Sequence, residues 1–144
     1  MSDKASVFPL GAEPLLGIRL LVVEDDINNR VLLSELLQFY GAQTKSASSV
    51  ADACSLIEAG DIDVIISDIG LPDGGGNELI RWVRRRPTAH PPLAIAISGF
   101  AQSDDASNAL DSGFQAFVPK PIDIDVLITT VYLLHRRRSS TRNT

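Results

Sequence analysis

Leu20-Leu21-Val22-Val23-Glu24-Asp25-Asp26 decides the fold: four apolar residues in a row, then three acids with no turn residue between. A run this short and this uniformly apolar suits a strand buried on both faces. The design recurs along the chain. The run 63–67 is followed by Asp68, the run 93–97 by Ser98 and Gly99, and the run 115–118 by Pro119, Lys120 and Pro121. A weaker stretch, 42–47, shows a partial two-residue alternation.

Amphipathic stretches separate these runs. Leu32, Leu33, Leu36, Leu37 and Tyr40 form a stripe at helical spacing in 28–40, and Val50, Ala53, Cys54 and Ile57 form another in 49–59. Leu127, Thr130, Val131 and Leu134 do so in 123–135. Shorter patterns lie in 77–86 (Leu79, Ile80, Val83) and 103–111 (Ala106, Ala109, Leu110). Strands alternating with helices form right-handed βαβ units, so the expected class is α/β, a parallel sheet with helices on both faces. Ligands of such sheets bind beyond the carboxyl ends of the strands.

Composition agrees with one folded domain and excludes several classes. The chain has 144 residues, 44% of them hydrophobic and 22% charged, which leaves ample material for a core. A net charge of -5 makes it a poor general binder of nucleic acid. The single cysteine, Cys54, rules out an internal disulfide or a cysteine-built zinc site and fits a reducing cytosol, so a cytoplasmic location is expected. No apolar run approaches the roughly 20 residues of a membrane span. Residues 1–17, with Pro9, Gly11, Pro14 and Gly17, read as a flexible leader or linker. The expected domain is 18–135, and 136–144 reads as a basic disordered tail.

The residues at the strand ends carry the chemistry. Glu24, Asp25 and Asp68 would gather three negative charges, each pair repelling by roughly 4 kcal/mol at about 4 Å in an effective dielectric near 20. Lys120 cancels one of them. Either a carboxyl is protonated or a divalent cation sits there, and a hard site of oxygen donors suits Mg²⁺. A carboxylate beside Mg²⁺, a lysine and the Ser98 hydroxyl suits phosphoryl transfer with Asp68 as the nucleophile.

The segments LLVVEDD, SDIGLPDGGGNELI, AIAISGF and AFVPKP together resemble the receiver domain of two-component response regulators, over about residues 18–135. The resemblance implies a flavodoxin-like (βα)5 fold with strand order 2-1-3-4-5. It implies that Asp68 accepts a phosphoryl group from the phosphohistidine of a histidine kinase or histidine phosphotransfer protein. Asp25 would then ligate Mg²⁺ directly and Glu24 through water, with the backbone carbonyl of Gly70 as a further ligand. Lys120 would pair with the phosphoryl group, ahead of a cis bond to Pro121. Ser98 would be the switch hydroxyl and Phe117 the switch aromatic. The face of 103–111, 115–119 and 123–135 would change on phosphorylation and is a possible homodimer surface. The segments PLLGIRLLVVEDD and NNR also resemble the receiver at the end of a hybrid sensor histidine kinase. Such a domain is a phosphotransfer acceptor rather than an enzyme.

Two departures from the pattern carry expectations. Asp73-Gly74-Gly75-Gly76 is glycine-rich and should make a loose loop. Gly70 has no side chain to position a hydrolytic water, so self-dephosphorylation should be slow. The competing functions are a receiver-like docking module that is never phosphorylated and a phosphatase working through an aspartyl phosphate. The phosphatase usually needs a second acid two residues after the nucleophile, where Gly70 stands. A flavin carrier would need a phosphate loop where Glu24, Asp25 and Asp26 would repel phosphate. Elsewhere the bland readings prevail. Asp26, Ser48, Ser103 and Asp123 read as helix starts, Cys54 as core, Trp82 as half exposed, and Arg84–Arg86 and Arg136–Arg138 as solvated. His90 and His135 lack the company a catalytic base needs.

Overall fold

All five runs expected to be strands are strands, and they lie side by side in one parallel sheet. The computed structural model describes residues 8–99 and 103–142. The elements alternate without exception: β1 (Arg19–Val23), α1 (Ile27–Phe39), β2 (Gln43–Ala47), α2 (Val50–Ala59), β3 (Val64–Asp68), α3 (Gly75–Arg85), β4 (Leu93–Ser98), α4 (Ser103–Ser112), β5 (Ala116–Pro119) and α5 (Ile124–Arg142). The sheet order is β2-β1-β3-β4-β5, the flavodoxin-like arrangement.

Residue alternation along each strand divides the core in two. Leu20, Val22, Val64, Ile66, Ile95 and Ile97 meet Leu33 and Leu37 of α1 and Leu127, Ile128 and Val131 of α5. Leu21, Val23, Ile65, Ala94 and Ala96 meet Ala53 and Ile57 of α2, Leu79, Ile80 and Val83 of α3, and Ala109 of α4. The three central strands are therefore apolar on both faces, as their sequences require. The edges differ. β2 is a mostly exposed Gln-Thr-Lys-Ser-Ala strand, and β5 has four residues and ends at Pro119.

The register puts the strand ends level. Val23 lies beside Ser67, Asp68 beside Ile97, and Ser98 beside Pro119. The polar residues that follow the strands consequently share one rim.

Helix starts are capped largely as expected. Asp26 Oδ1 accepts the Asn29 N–H at 3.0 Å, and Asp123 Oδ1 accepts the Asp125 N–H at 3.0 Å. At α2 the cap is Ser49, which accepts from the Asp52 N–H, while Ser48 instead donates its hydroxyl to the Asp52 carboxylate. The Ser103 side chain lies outside the described residues.

Three expectations need correction. The leader is packed where it is described. Leu15 is fully buried and its N–H donates to the Tyr40 carbonyl at 2.9 Å. Leu16 passes so close to Gly41 (φ 106°) that a Cβ there would meet its backbone nitrogen at 2.9 Å. Phe8 stands edge-on to Tyr132 of α5 at 5.7 Å. The prolines and glycines of this segment shape turns around one apolar plug, whose burial is worth roughly 1.5–3 kcal/mol. The tail expected from residue 136 is helical to Arg142, because arginine is a good helix former and cations suit a helix C-terminus. Arg84 is not solvated: its guanidinium donates to the carbonyls of Gly113 (2.9 Å) and Pro92 (2.6 Å) and to Gln115 Oε1 (3.0 Å). Burial lowers its pKa, and the charge of Arg138 adds to that. Trp82 and Cys54 are both half-buried, and the Arg86 guanidinium lies 5.0 Å from the Trp82 ring centre. Among the described residues no helix is long and apolar enough to cross a membrane.

Candidate functional site

The level strand ends deliver Glu24, Asp68, Ser98 and Lys120 to one rim. Glu24 directly follows β1, Asp68 ends β3, Ser98 ends β4, and Lys120 directly follows β5. Lys120 Nζ donates to Asp68 Oδ2 at 2.6 Å and to Glu24 Oε1 at 3.0 Å, so one ammonium bridges two strands. Its backbone N–H donates to the Ser98 carbonyl at 2.8 Å, which ties it to β4, and its bond to Pro121 is cis. Asp68 Oδ1 accepts the Gly70 N–H at 2.9 Å. Glu24 Oε2 accepts the Asp26 N–H at 3.3 Å.

Carboxylate oxygens of Glu24, Asp25 and Asp68 all lie within 4.8 Å of one another. Two unit charges at that separation repel by roughly 3.5 kcal/mol in an effective dielectric near 20. Lys120 offsets one of the three formal charges. Burial is the main cause that pushes the Glu24 pKa up, and the Asp68 charge adds to it, against the hydrogen bond from Lys120. Burial pulls Lys120 down, but hydrogen bonds and charge from Asp68 and Glu24 outweigh it, and the net direction is up. The donor set is all oxygen, anionic and short of positive charge, which fits a hard divalent cation such as Mg²⁺.

Ser98 is buried at the end of β4. Strand alternation puts it on the same sheet face as Ala96, whose neighbour across β5 is Phe117. Phe117 is half-buried against the core of that face.

The family model for the response regulator receiver domain matches residues 20–132. The chain belongs to this family. This receiver domain is 36% identical, over 119 residues, to an uncharacterized 14.6 kDa protein in the sodA1 3′ region of Leptolyngbya boryana, covering 83% of this chain and 91% of that one. It is 30% identical to part of the sensor histidine kinase RcsC of Escherichia coli K12, covering 86% of this chain but spanning only 13% of RcsC. Among solved structures it superposes on the Francisella response regulator 1452 receiver domain with a TM-score of 0.78 at 26% identity, over 84% of this chain and 98% of that one. It also resembles a chain of the co-crystal of yeast Ypd1, a histidine phosphotransfer protein, with the receiver domain of Ssk1, with a TM-score of 0.70 at 25% identity, over 76% of this chain and 83% of that one. The protein is therefore a receiver domain of two-component signalling.

Two polar side chains of this receiver domain escaped the sequence reading. Arg30 Nη1 donates to the carbonyls of Glu24 (3.0 Å) and Asp25 (3.4 Å). Its only signal was its place in the first turn of α1, behind the acids. Asp73 crosses to another helix, where its carboxylate accepts the N–H groups of Val50 (2.8 Å) and Ala51 (3.2 Å) at the start of α2. The bond from Val50 is the main cause of its lowered pKa. The glycine-rich loop is thus pinned rather than loose. Gly76, moreover, packs so tightly under the Asp68 carbonyl that no side chain fits.

Proposed function

We propose that this receiver domain accepts a phosphoryl group on Asp68 from a phosphohistidine and that Mg²⁺ is required. The observation that carries the reading is the bridge from Lys120 to both Asp68 and Glu24 at the rim of the sheet. An Asp68 oxygen attacks phosphorus, the bond from phosphorus to the donor imidazole breaks, and its electron pair passes to the ring. Lys120 then follows the charge onto the phosphoryl oxygens. Glu24, Asp25, Asp68 and the Gly70 carbonyl would hold Mg²⁺, which when bound neutralises charge on the transferred group. The Gly70 N–H holds one Asp68 oxygen in place, which presets the carboxylate plane. The Ser98 hydroxyl turns toward the new oxygens, and Phe117 moves into the space it vacates.

The donor is a histidine kinase or a histidine phosphotransfer protein, acting in the cytoplasm. A groove of about 260 Å³ beside Lys120 supports this, with Leu32, Leu33, Leu36, Ile122 and Ile124 in its walls. Ile27 and Val31 are further exposed apolar residues of α1, the helix that lines it. A helical donor seated there brings its histidine to the rim. Leu110 of α4 and Val126 and Leu133 of α5 are also exposed, which supports a homodimer through that face after phosphorylation.

The test is exposure to a small acyl phosphate with and without Mg²⁺, read by intact mass. The wild type should gain one phosphoryl group only with the metal, and Asp68→Ala should gain none. An unmodified wild type would favour the docking-module reading, and equal labelling of Asp68→Ala would remove Asp68 from its role.

A further inference from the structure

We propose that Arg30 is a positioning residue for the acidic pair and sets the affinity of the site for its divalent cation. The proposal rests on the reading of Glu24 and Asp25 as cation-holding groups. Residues 24–26 form the junction between β1 and α1, where carbonyls have left the sheet ladder. Two of them converge on one side chain. Arg30 Nη1 donates to the carbonyls of Glu24 (3.0 Å) and Asp25 (3.4 Å), while the Asp26 carbonyl takes the ordinary first helical bond, from the Arg30 backbone N–H at 2.9 Å, which does not depend on the side chain. Two successive peptide planes are thereby held by the guanidinium, and with them the directions in which the Glu24 and Asp25 side chains leave the backbone. Arg30 is half-buried, and its bond to the Glu24 carbonyl is partly shielded from competing water, while the longer one to Asp25 is exposed. A guanidinium suits the task because Nη1 carries two N–H donors fixed in one plane, one for each carbonyl, whereas the donors of an ammonium rotate freely on a flexible stem.

Positioning and plain charge predict opposite signs. Arg30 brings a positive charge to the backbone behind Glu24 and Asp25, so if charge were its whole effect, its removal would tighten cation binding. If it orients the acids, removal loosens binding, since losing a partner that orients metal-holding groups costs roughly tenfold in affinity or more.

The experiment is calorimetric titration of Mg²⁺ into the wild type, Arg30→Ala, Arg30→Lys and Asp25→Asn at fixed ionic strength, with urea midpoints to confirm folding. Arg30→Ala should bind about tenfold more weakly, Arg30→Lys should fall between it and the wild type, and Asp25→Asn should lose most binding. Amide exchange at residues 24–26 should quicken in Arg30→Ala. Tighter or unchanged binding by Arg30→Ala overturns the proposal alone. If Arg30→Ala does not fold, wild-type affinity in Arg30→Lys overturns it. A wild type that binds no Mg²⁺ overturns the cation site itself, and the proposal with it.

Discussion

Replacing Gly76 by alanine tests how tightly the loop after Asp68 is built. Gly76 is the second residue of α3, beneath Asp68, and its N–H donates to the Ile69 carbonyl at 2.8 Å. A Cβ at this position would press on the Asp68 carbonyl oxygen, with Ser67 Oγ at 3.0 Å and Ile69 Cα at 3.1 Å. These neighbours are backbone or buried, so relief requires the first turn of α3 or the Asp68–Ile69 peptide to move by several tenths of an ångström. Overpacking of this kind costs about 1–3 kcal/mol. For a domain of this size that is a fall in Tm of roughly 4–10 °C. The same shift turns the acceptor carboxylate, and since about 1 Å of misplacement costs on the order of 100-fold in rate, phosphorylation should slow by roughly 10- to 100-fold. Gly99→Ala is the control, because a Cβ there meets nothing closer than 3.8 Å. Urea unfolding and labelling by a small phosphodonor read both effects. If Gly76→Ala matches the wild type in stability and rate, the close-packing argument is wrong.

Leu15→Ala should destabilise the domain by about 2–5 kcal/mol in urea, as befits a fully buried leucine. Arg84→Ala leaves the Gly113 and Pro92 carbonyls without their donor and should cost about 1–3 kcal/mol by the same measurement. Asp63 has its pKa lowered: burial raises it, but hydrogen bonds from the Arg19 side chain and backbone and the Arg19 charge outweigh that. Its contribution should be complete above the usual aspartate pKa and vanish as pH falls through the lowered value. Asp63→Asn should flatten the acid limb of a plot of stability against pH. The bare Gly70 beside the acceptor implies a long-lived aspartyl phosphate, and loss of the label within seconds in Mg²⁺ buffer would refute that.

The parts of the fold set by local pattern were legible in the sequence. Uniformly apolar runs such as Leu20–Val23 identify strands covered on both faces, and the acids behind them mark the rim because parallel strands all end at the same side. Helix caps were legible to within one residue, as the shift from Ser48 to Ser49 shows, since neighbouring serines are equivalent until the backbone chooses. Contacts formed only in three dimensions stayed hidden. Leu15 stands among turn formers beside Leu16 and near Leu10, both exposed, and no periodicity tells the one buried leucine from its neighbours. The partners of Arg84 are carbonyls 8 and 29 residues away, and backbone acceptors have no signature in a sequence. Arg30 escaped for the same reason. That residues 24, 25, 68, 98 and 120 share one rim was legible, because polar side chains directly behind apolar strands mark that rim in the sequence itself.

The two borders of the sheet have a bearing on solubility. Unpaired backbone groups on an outermost strand invite other chains to polymerise through them. Here one border is polar and carries Lys45, and the other is cut short by Pro119, which has no N–H to offer. The flat helical sides are thus the surfaces left for recognition, and the margins of the sheet give a growing fibre no template.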